Sequence, residues 1–220
     1  MAIWDSVLDI LFPPRCKFCG ALMDKSTLAP CRKCESADFW LTPAQALVPG
    51  TQFSRCVCAA WYRDPLRVEM SRFKFQNHPD HAKAYGPVLA RQIRFFLPGA
   101  YDCITWVPVS DGTLKKRGYD QARLLAEETA KALGTQAVPL LVKTKNTPAQ
   151  SSLADGRKRH KNVAGVYAVP DPALVRGKRV LVMDDILTTG ATLEEAAQTL
   201  RKAGADQVVA AAFCRTPKDR

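Results

Sequence analysis

The chain has 220 residues, of which 47% are hydrophobic, and its 32 Lys and Arg against 21 Asp and Glu give a formal net charge of +11. That length suits one medium α/β domain plus a small appendage, and the apolar runs are far too short for a bilayer-spanning helix. The charge exceeds what an enzyme of neutral ligands needs and favours a polyanionic partner or substrate, with a plain soluble basic surface as the alternative.

Ile3, Trp4, Val7, Leu8 and Leu11 repeat with helical spacing until Pro13-Pro14 stops the pattern. This helix is expected to pack on the rest of the fold. Its polar positions carry Asp5 and Asp9 and no Lys or Arg, which disfavours a membrane-surface role. The stretch has no basic leader and no small-residue cleavage site, so a cytoplasmic, reducing setting is the expectation.

Cys16-Lys17-Phe18-Cys19 and Cys31-Arg32-Lys33-Cys34 are two C-x-x-C knuckles separated by eleven residues. Such knuckles can fold back so that four thiolates meet around Zn2+, whereas C-x-x-C disulfides are strained and disfavoured in a reducing compartment. Free buried thiols are the alternative. Four thiolates leave no open coordination position, so the metal would be structural, and so small a segment could hardly hold a core without it. Residues 42–51 (TPAQALVPGT) read as a linker, which divides the chain into an N-terminal helix and zinc-binding module at 1–50 and a larger domain at 51–220.

Residues 55–62 read as a strand with Cys56 and Cys58 buried on one face. Asp64-Pro65 fits the N-cap and first position of a helix running from Leu66 to about Phe75, which carries Arg67, Arg72 and Lys74. His78-Pro79-Asp80-His81 invites a metal reading, but two histidines with no third ligand in view favour a loop and helix start. Residues 87–96 read as a helix stopped by Pro98-Gly99, and residues 103–109 as a buried strand. A basic loop, residues 110–118, follows, and then a helix with Ala122, Leu125, Ala126, Thr129 and Leu133 on one face. Lys115, Lys116 and Arg117 in that loop could meet a pyrophosphate or form a solvated charge run.

The polar stretch after Val142 holds Lys143, Lys145, Arg157, Lys158, Arg159 and Lys161 against a single Asp155, with His160 as a charge neighbour. So long a loop is expected to be functional or disordered; this one could close over pyrophosphate or track a nucleic-acid backbone. Next, Val180-Leu181-Val182-Met183 reads as a strand buried on both faces, with Asp184-Asp185 where it should end. Thr188-Thr189-Gly190-Ala191-Thr192 then opens a helix whose Leu193, Ala196, Ala197 and Leu200 share one face, with Gly204 as its stop. Unpaired amides, hydroxyls and the positive helix end suit phosphate, while two carboxylates repel it unless they grip a polyol or a metal on the same ligand. A phosphorylated sugar meets both demands. Residues 207–214 complete the sheet as the last apolar strand.

Taken together, VPVS, RGYDQARLLA, TPAQSSLADGRKRHKNVAGVYAV and VLVMDDILTTGAT behind tandem C-x-x-C knuckles resemble the ComF family over nearly the whole chain, most specifically from Arg117 onward. The resemblance implies an α/β fold of the type I phosphoribosyltransferase kind, a parallel sheet flanked by helices with a small N-terminal zinc-binding module of four cysteines. It implies that Asp184 and Asp185 hold the ribose hydroxyls of phosphoribosyl pyrophosphate (PRPP), and that Thr188, Thr189, Gly190, Ala191 and Thr192 hold its 5′-phosphate. Lys116, Arg117, Gly118, Arg157 and Asn162 would sit near the pyrophosphate, which Mg2+ would chelate. One departure is Ser110-Asp111-Gly112, where the family is more often Pro-Leu-His-like.

The family is linked to natural transformation, so single-stranded DNA and proteins of the uptake machinery are implied partners, with Arg157, Lys158, Arg159 and Lys161 on the nucleic acid. Three functions compete. One is a PRPP-binding uptake factor; another is an active phosphoribosyltransferase in which Asp184, Asp185 and Arg157 carry the reaction to a base or amine. The third, a ligand-sensing regulator, lacks any visible DNA-reading module.

Overall fold

The computed structural model describes residues 13–144 and 165–217. The helix expected at residues 3–11 and the basic residues Arg157, Lys158, Arg159 and Lys161 lie outside them. In chain order the described strands are β1 (Leu47–Pro49), β2 (Arg55–Trp61), β3 (Cys103–Trp106), β4 (Val142–Lys143), β5 (Tyr167–Ala168), β6 (Arg179–Leu187) and β7 (Gln207–Arg215). The helices are α1 (Arg32–Glu35), α2 (Pro43–Ala46), α3 (Leu66–Phe75), α4 (His81–Phe96), α5 (Asp111–Arg117), α6 (Gln121–Leu133) and α7 (Ala191–Lys202).

Five strands form one sheet in the order β1-β2-β7-β6-β3, parallel throughout except for the antiparallel edge strand β1. A parallel sheet must be covered on both faces, and the strands accordingly read as unbroken apolar runs. Along β6, Leu181 and Met183 enter one core while Val180 and Val182 enter the other. Along β7, Val209, Ala211 and Phe213 join the first core, and Val208, Ala210 and Ala212 the second. The first core is roofed by α3, α4, α6 and the cysteine module; the second is roofed by α7, which contributes Leu193, Ala196, Ala197 and Leu200. Cys56 and Cys58 lie on the second face, as their alternation predicts, with sulfurs 4.0 Å apart.

Several elements depart from the sequence reading. The stretch read as a linker is ordered: Trp40 bridges Ala60, α2 follows, and β1 pairs with β2 from Leu47↔Val57 to Pro49↔Arg55. Its Leu47 and Val48 pack on the cores, which holds the segment against the sheet edge. Helix α4 begins at His81 and runs through Pro87, so it starts well before the position the proline suggested. Gly86 explains the neighbouring crossing, since a Cβ there would lie 2.7 Å from the Glu128 carbonyl carbon, and only glycine lets α4 approach α6 so closely. The basic loop at 110–118 is helix α5, capped by the Ser110 hydroxyl on Thr113 N and closed by Gly118 in the left-handed region.

Candidate functional site

The acid pair lies inside a strand rather than after it. β6 runs nine residues because β7 continues alongside, pairing Asp184 with Ala212 and Leu187 with Arg215. On its other side β3 pairs only as far as Trp106↔Met183, and Val107 N makes the last bond, to Met183 O. From Asp184 onward β6 is therefore flanked by a strand on one side only. This is the position in an open parallel sheet where ligands meet the carboxyl ends of strands.

Asp185 is buried, with only 2% of its surface exposed. Its Oδ1 accepts from the Lys74 ammonium at 3.0 Å, while its Oδ2 is buried without a hydrogen-bond partner. Asp184 Oδ1 accepts from the Asp185 amide at 2.8 Å. Burial, followed by the neighbouring Asp185 charge, pushes the Asp184 carboxyl up to about 8. Burial alone would lower the Lys74 ammonium, but Asp185 and Asp184 outweigh it and hold its pKa above the ordinary value. An orphaned carboxylate oxygen in such a pair is suited to accept from a hydroxyl or to meet a cation.

Leu187 leads into Thr188 and Thr189, both exposed, and then to Gly190 at φ 84°, the N-cap of α7. The left-handed backbone at this turn explains the glycine. Thr189 Oγ1 accepts from Ala191 N at 3.4 Å, and α7 is fixed to the β1–β2 connection by Glu194, which accepts from Thr51 N and Gln52 N. The first-turn amides of α7 thus follow the acid pair by one short loop.

One further strand-to-helix path, from β3 into α5 and α6, ends in a carboxylate that acts on Asp184. Asp120, the N-cap of α6, accepts from Ala122 N, Arg123 N and Val109 N, locking the path from β3 into α6. Burial raises its carboxyl pKa. Arg117, at the end of α5, lies 5.0 Å over the Phe75 ring and donates to Gln121, while Lys116 is exposed. The last turn of α3 therefore carries Lys74 to the acids and Phe75 to Arg117. Lys143 on β4 and Tyr167 on β5 both feel the Asp184 charge; burial lowers the Lys143 ammonium and raises the Tyr167 phenol. These strands are antiparallel, with Thr144 N bonded to Val166 O, so the described residues on either side of the basic stretch lie together.

Sequence reasoning missed Lys74 and Asp120. Lys74 could have been found, since it stands four residues beyond Met70 on the face that buries Leu66, Met70 and Phe73. Asp120 could have been found as the N-cap before the apolar pattern of α6. Arg157, Lys158, Arg159 and Lys161 lie outside the described residues.

The four knuckle cysteines do converge. Cys16 and Cys34 sulfurs are 3.9 Å apart, Cys19 and Cys31 sulfurs 3.7 Å, and all four lie within 4.8 Å of one another. Tetrahedral zinc with Zn–S bonds near 2.3 Å needs sulfur separations of about 3.8 Å, so this set fits the ion. A separate hollow of about 700 Å³ lies between this module and α4, lined by Trp40, Leu41, Arg91, Phe95 and Phe96. Among the described residues, no helix is long and apolar enough to cross a membrane.

Residues 120–220 match the family described as Phosphoribosyl transferase domain. The protein named Competence protein F from Haemophilus influenzae is 31% identical over 166 residues, covering 71% of this chain and 70% of that protein. The chain belongs to the ComF family. Another relative of this ComF chain, DNA utilization protein YhgH of Escherichia coli O157:H7, is 28% identical over 209 residues, covering 91% of this chain and 84% of that protein. Among solved structures, glutamine PRPP amidotransferase from B. subtilis shares 22% identity at a TM-score of 0.43, covering 64% of this chain and 30% of its own. The ComF family and the phosphoribosyltransferase-like fold are thus those that the motifs implied.

Proposed function

We propose that this ComF protein binds PRPP in the crevice beside β6 and handles single-stranded DNA during its uptake. The observation that carries the reading is the acid pair of β6, with one orphaned buried oxygen on Asp185, set one short loop ahead of the α7 amides. Asp184 and Asp185 accept from the ribose hydroxyls, and the residues from Thr188 to Thr192 donate to the 5′-phosphate at the positive helix end. Lys116, Arg117 and Gly118 lie toward the pyrophosphate, whose charge Mg2+ offsets when it arrives with the ligand. Lys74 occupies one oxygen of Asp185; the other has no partner but is closed to solvent, so the ribose shares this carboxylate only after the side chain moves.

Three observations support the DNA part: the names of the relatives, the net charge of +11, and the hollow that offers Trp40, Phe95 and Phe96 beside Arg91. Aromatic faces beside arginine are what sequence-tolerant stacking of unpaired bases requires.

The enzymatic reading, transfer of ribose 5-phosphate from PRPP to a base or amine, is favoured by Asp184. A carboxyl pushed up to about 8 stands in the range suited to proton transfer near neutral pH. The test of the pocket is calorimetric titration of PRPP with Mg2+ into the wild type and into Asp184→Asn/Asp185→Asn. The double variant is expected to lose binding, and unchanged affinity would refute the assignment. Pyrophosphate release with a panel of bases and amines separates the enzyme from the uptake factor.

A further inference from the structure

We propose that His78, Asp80 and His81 form a second metal site, distinct from the cysteine cluster, that takes a borderline divalent ion through two imidazoles and one carboxylate. The sequence offered two histidines and no third ligand. The structure supplies it, since Asp80 Oδ1 lies 3.5 Å from His81 Nδ1 and 4.0 Å from His78 Nδ1. One ligand atom from each residue falls within 4.8 Å of the others. A tetrahedral ion with bonds of about 2.0–2.1 Å needs separations of about 3.4 Å, which a small closure by the half-exposed His78 provides.

His81 is the decisive residue. It is 2% exposed, its Nε2 lies 3.0 Å from Glu69 Oε2, and its Nδ1 is buried without a hydrogen-bond partner. Glu69 is itself buried and held by Arg72 at 2.8 Å. A carboxylate behind one ring nitrogen is the arrangement that fixes the tautomer of a metal-binding histidine and leaves the other nitrogen with its lone pair forward. In the tautomer with the proton on Nε2, that lone pair faces Asp80 Oδ1 across 3.5 Å, a gap that a cation between them would fill. A ring protonated at both nitrogens would instead bridge the two carboxylates. Phe73 stacks on the same ring and Tyr85 meets it edge-on, so the imidazole cannot turn away.

The remaining oxygen of Asp80 is taken by the Lys17 ammonium, which leaves Oδ1 as the one that faces both histidines. Three protein ligands with nitrogen and oxygen donors leave an open coordination position, unlike the closed thiolate set of the knuckles. The chemistry selects a borderline first-row ion such as Zn2+ or Ni2+ over Mg2+ or Ca2+.

The test uses the full chain, loaded with Zn2+, with bound metal counted by mass spectrometry and titration. Wild type is expected to hold one equivalent more than His78→Ala, a count that does not depend on what the cysteines bind. Glu69→Gln, which keeps all three ligands, is expected to weaken the second equivalent by about 10–100-fold. Equal metal counts in wild type and His78→Ala would overturn the proposal, as would a His81 ring found doubly protonated in the Zn2+-loaded protein by nitrogen NMR. Should a variant fail to fold, cadmium NMR of the wild type decides. A resonance in the nitrogen–oxygen range, separate from any thiolate signal, is expected, and its absence would refute the site.

Discussion

Removing the Lys74 ammonium, as in Lys74→Met, tests the polar centre of the fold directly. At 3.0 Å in an effective dielectric near 20, the attraction between Lys74 and Asp185 is about 5.5 kcal/mol before desolvation is charged against it. The variant saves the ammonium its desolvation but leaves Asp185 buried beside Asp184 with no cation to offset it. Breaking a buried pair from one side costs about 3–5 kcal/mol, and that is the loss of unfolding free energy expected at pH 7. Urea unfolding followed by tryptophan fluorescence measures it. Lys74→Met/Asp185→Asn, which removes both charges, is expected to recover most of the loss. The gap between wild type and Lys74→Met should also narrow as pH is lowered, because protonation relieves the acid pair. Asp184 adds its own slope: its folded pKa is raised to about 8 from an unfolded value of about 3.9, so the folded state binds the extra proton. Its contribution to stability is therefore lost as pH rises between those two values. A Lys74→Met protein as stable as wild type at pH 7, or a double variant no better than the single, would refute the reasoning.

Gly86→Ala puts a Cβ 2.7 Å from the α6 backbone, which cannot yield as a side-chain tip would, so a loss of about 1–3 kcal/mol is expected in thermal or urea unfolding. Asp120→Ala removes three amide contacts at the start of α6 and should cost about 1–2 kcal/mol, with Asp120→Asn milder. Single-stranded DNA affinity, followed by fluorescence anisotropy, is expected to fall with added salt. Neutralising Arg157, Lys158 and Arg159 together should flatten the log–log slope by about 2.

Much of the architecture was legible because its signals are local. The alternate burial of Val180 to Met183 and the stripe of Leu193, Ala196, Ala197 and Leu200 follow from period and hydrophobicity alone. The cysteine cluster follows from spacing. What the sequence could not show depends on partners far along the chain. The acid pair stays within β6 because β7 continues beside it while β3 stops at Trp106, a length difference set by strands far apart in sequence. The segment around Leu47 looked like a linker because its Pro and Gly content is high, yet its few apolar side chains suffice to hold it on β2. Lys74 was visible only as one of several charges on its helix; that it meets Asp185, 111 residues later, is a property of the fold. His81 and Asp80 were visible as a motif, but Glu69, the carboxylate behind the ring, belongs to another helix.

The ten residues of α3 touch two places far apart in the chain. Glu69 sits under the first knuckle, where a Cβ on Gly20 would come within 2.6 Å of its carboxylate, and five residues later Lys74 reaches the β6 acids. Five residues of helix span only about 7.5 Å, with little give along the axis. Cysteine variants are therefore expected to disturb the β6 acid pair as well, so a change at the acids after such a substitution is not by itself a measure of what the cysteines bind.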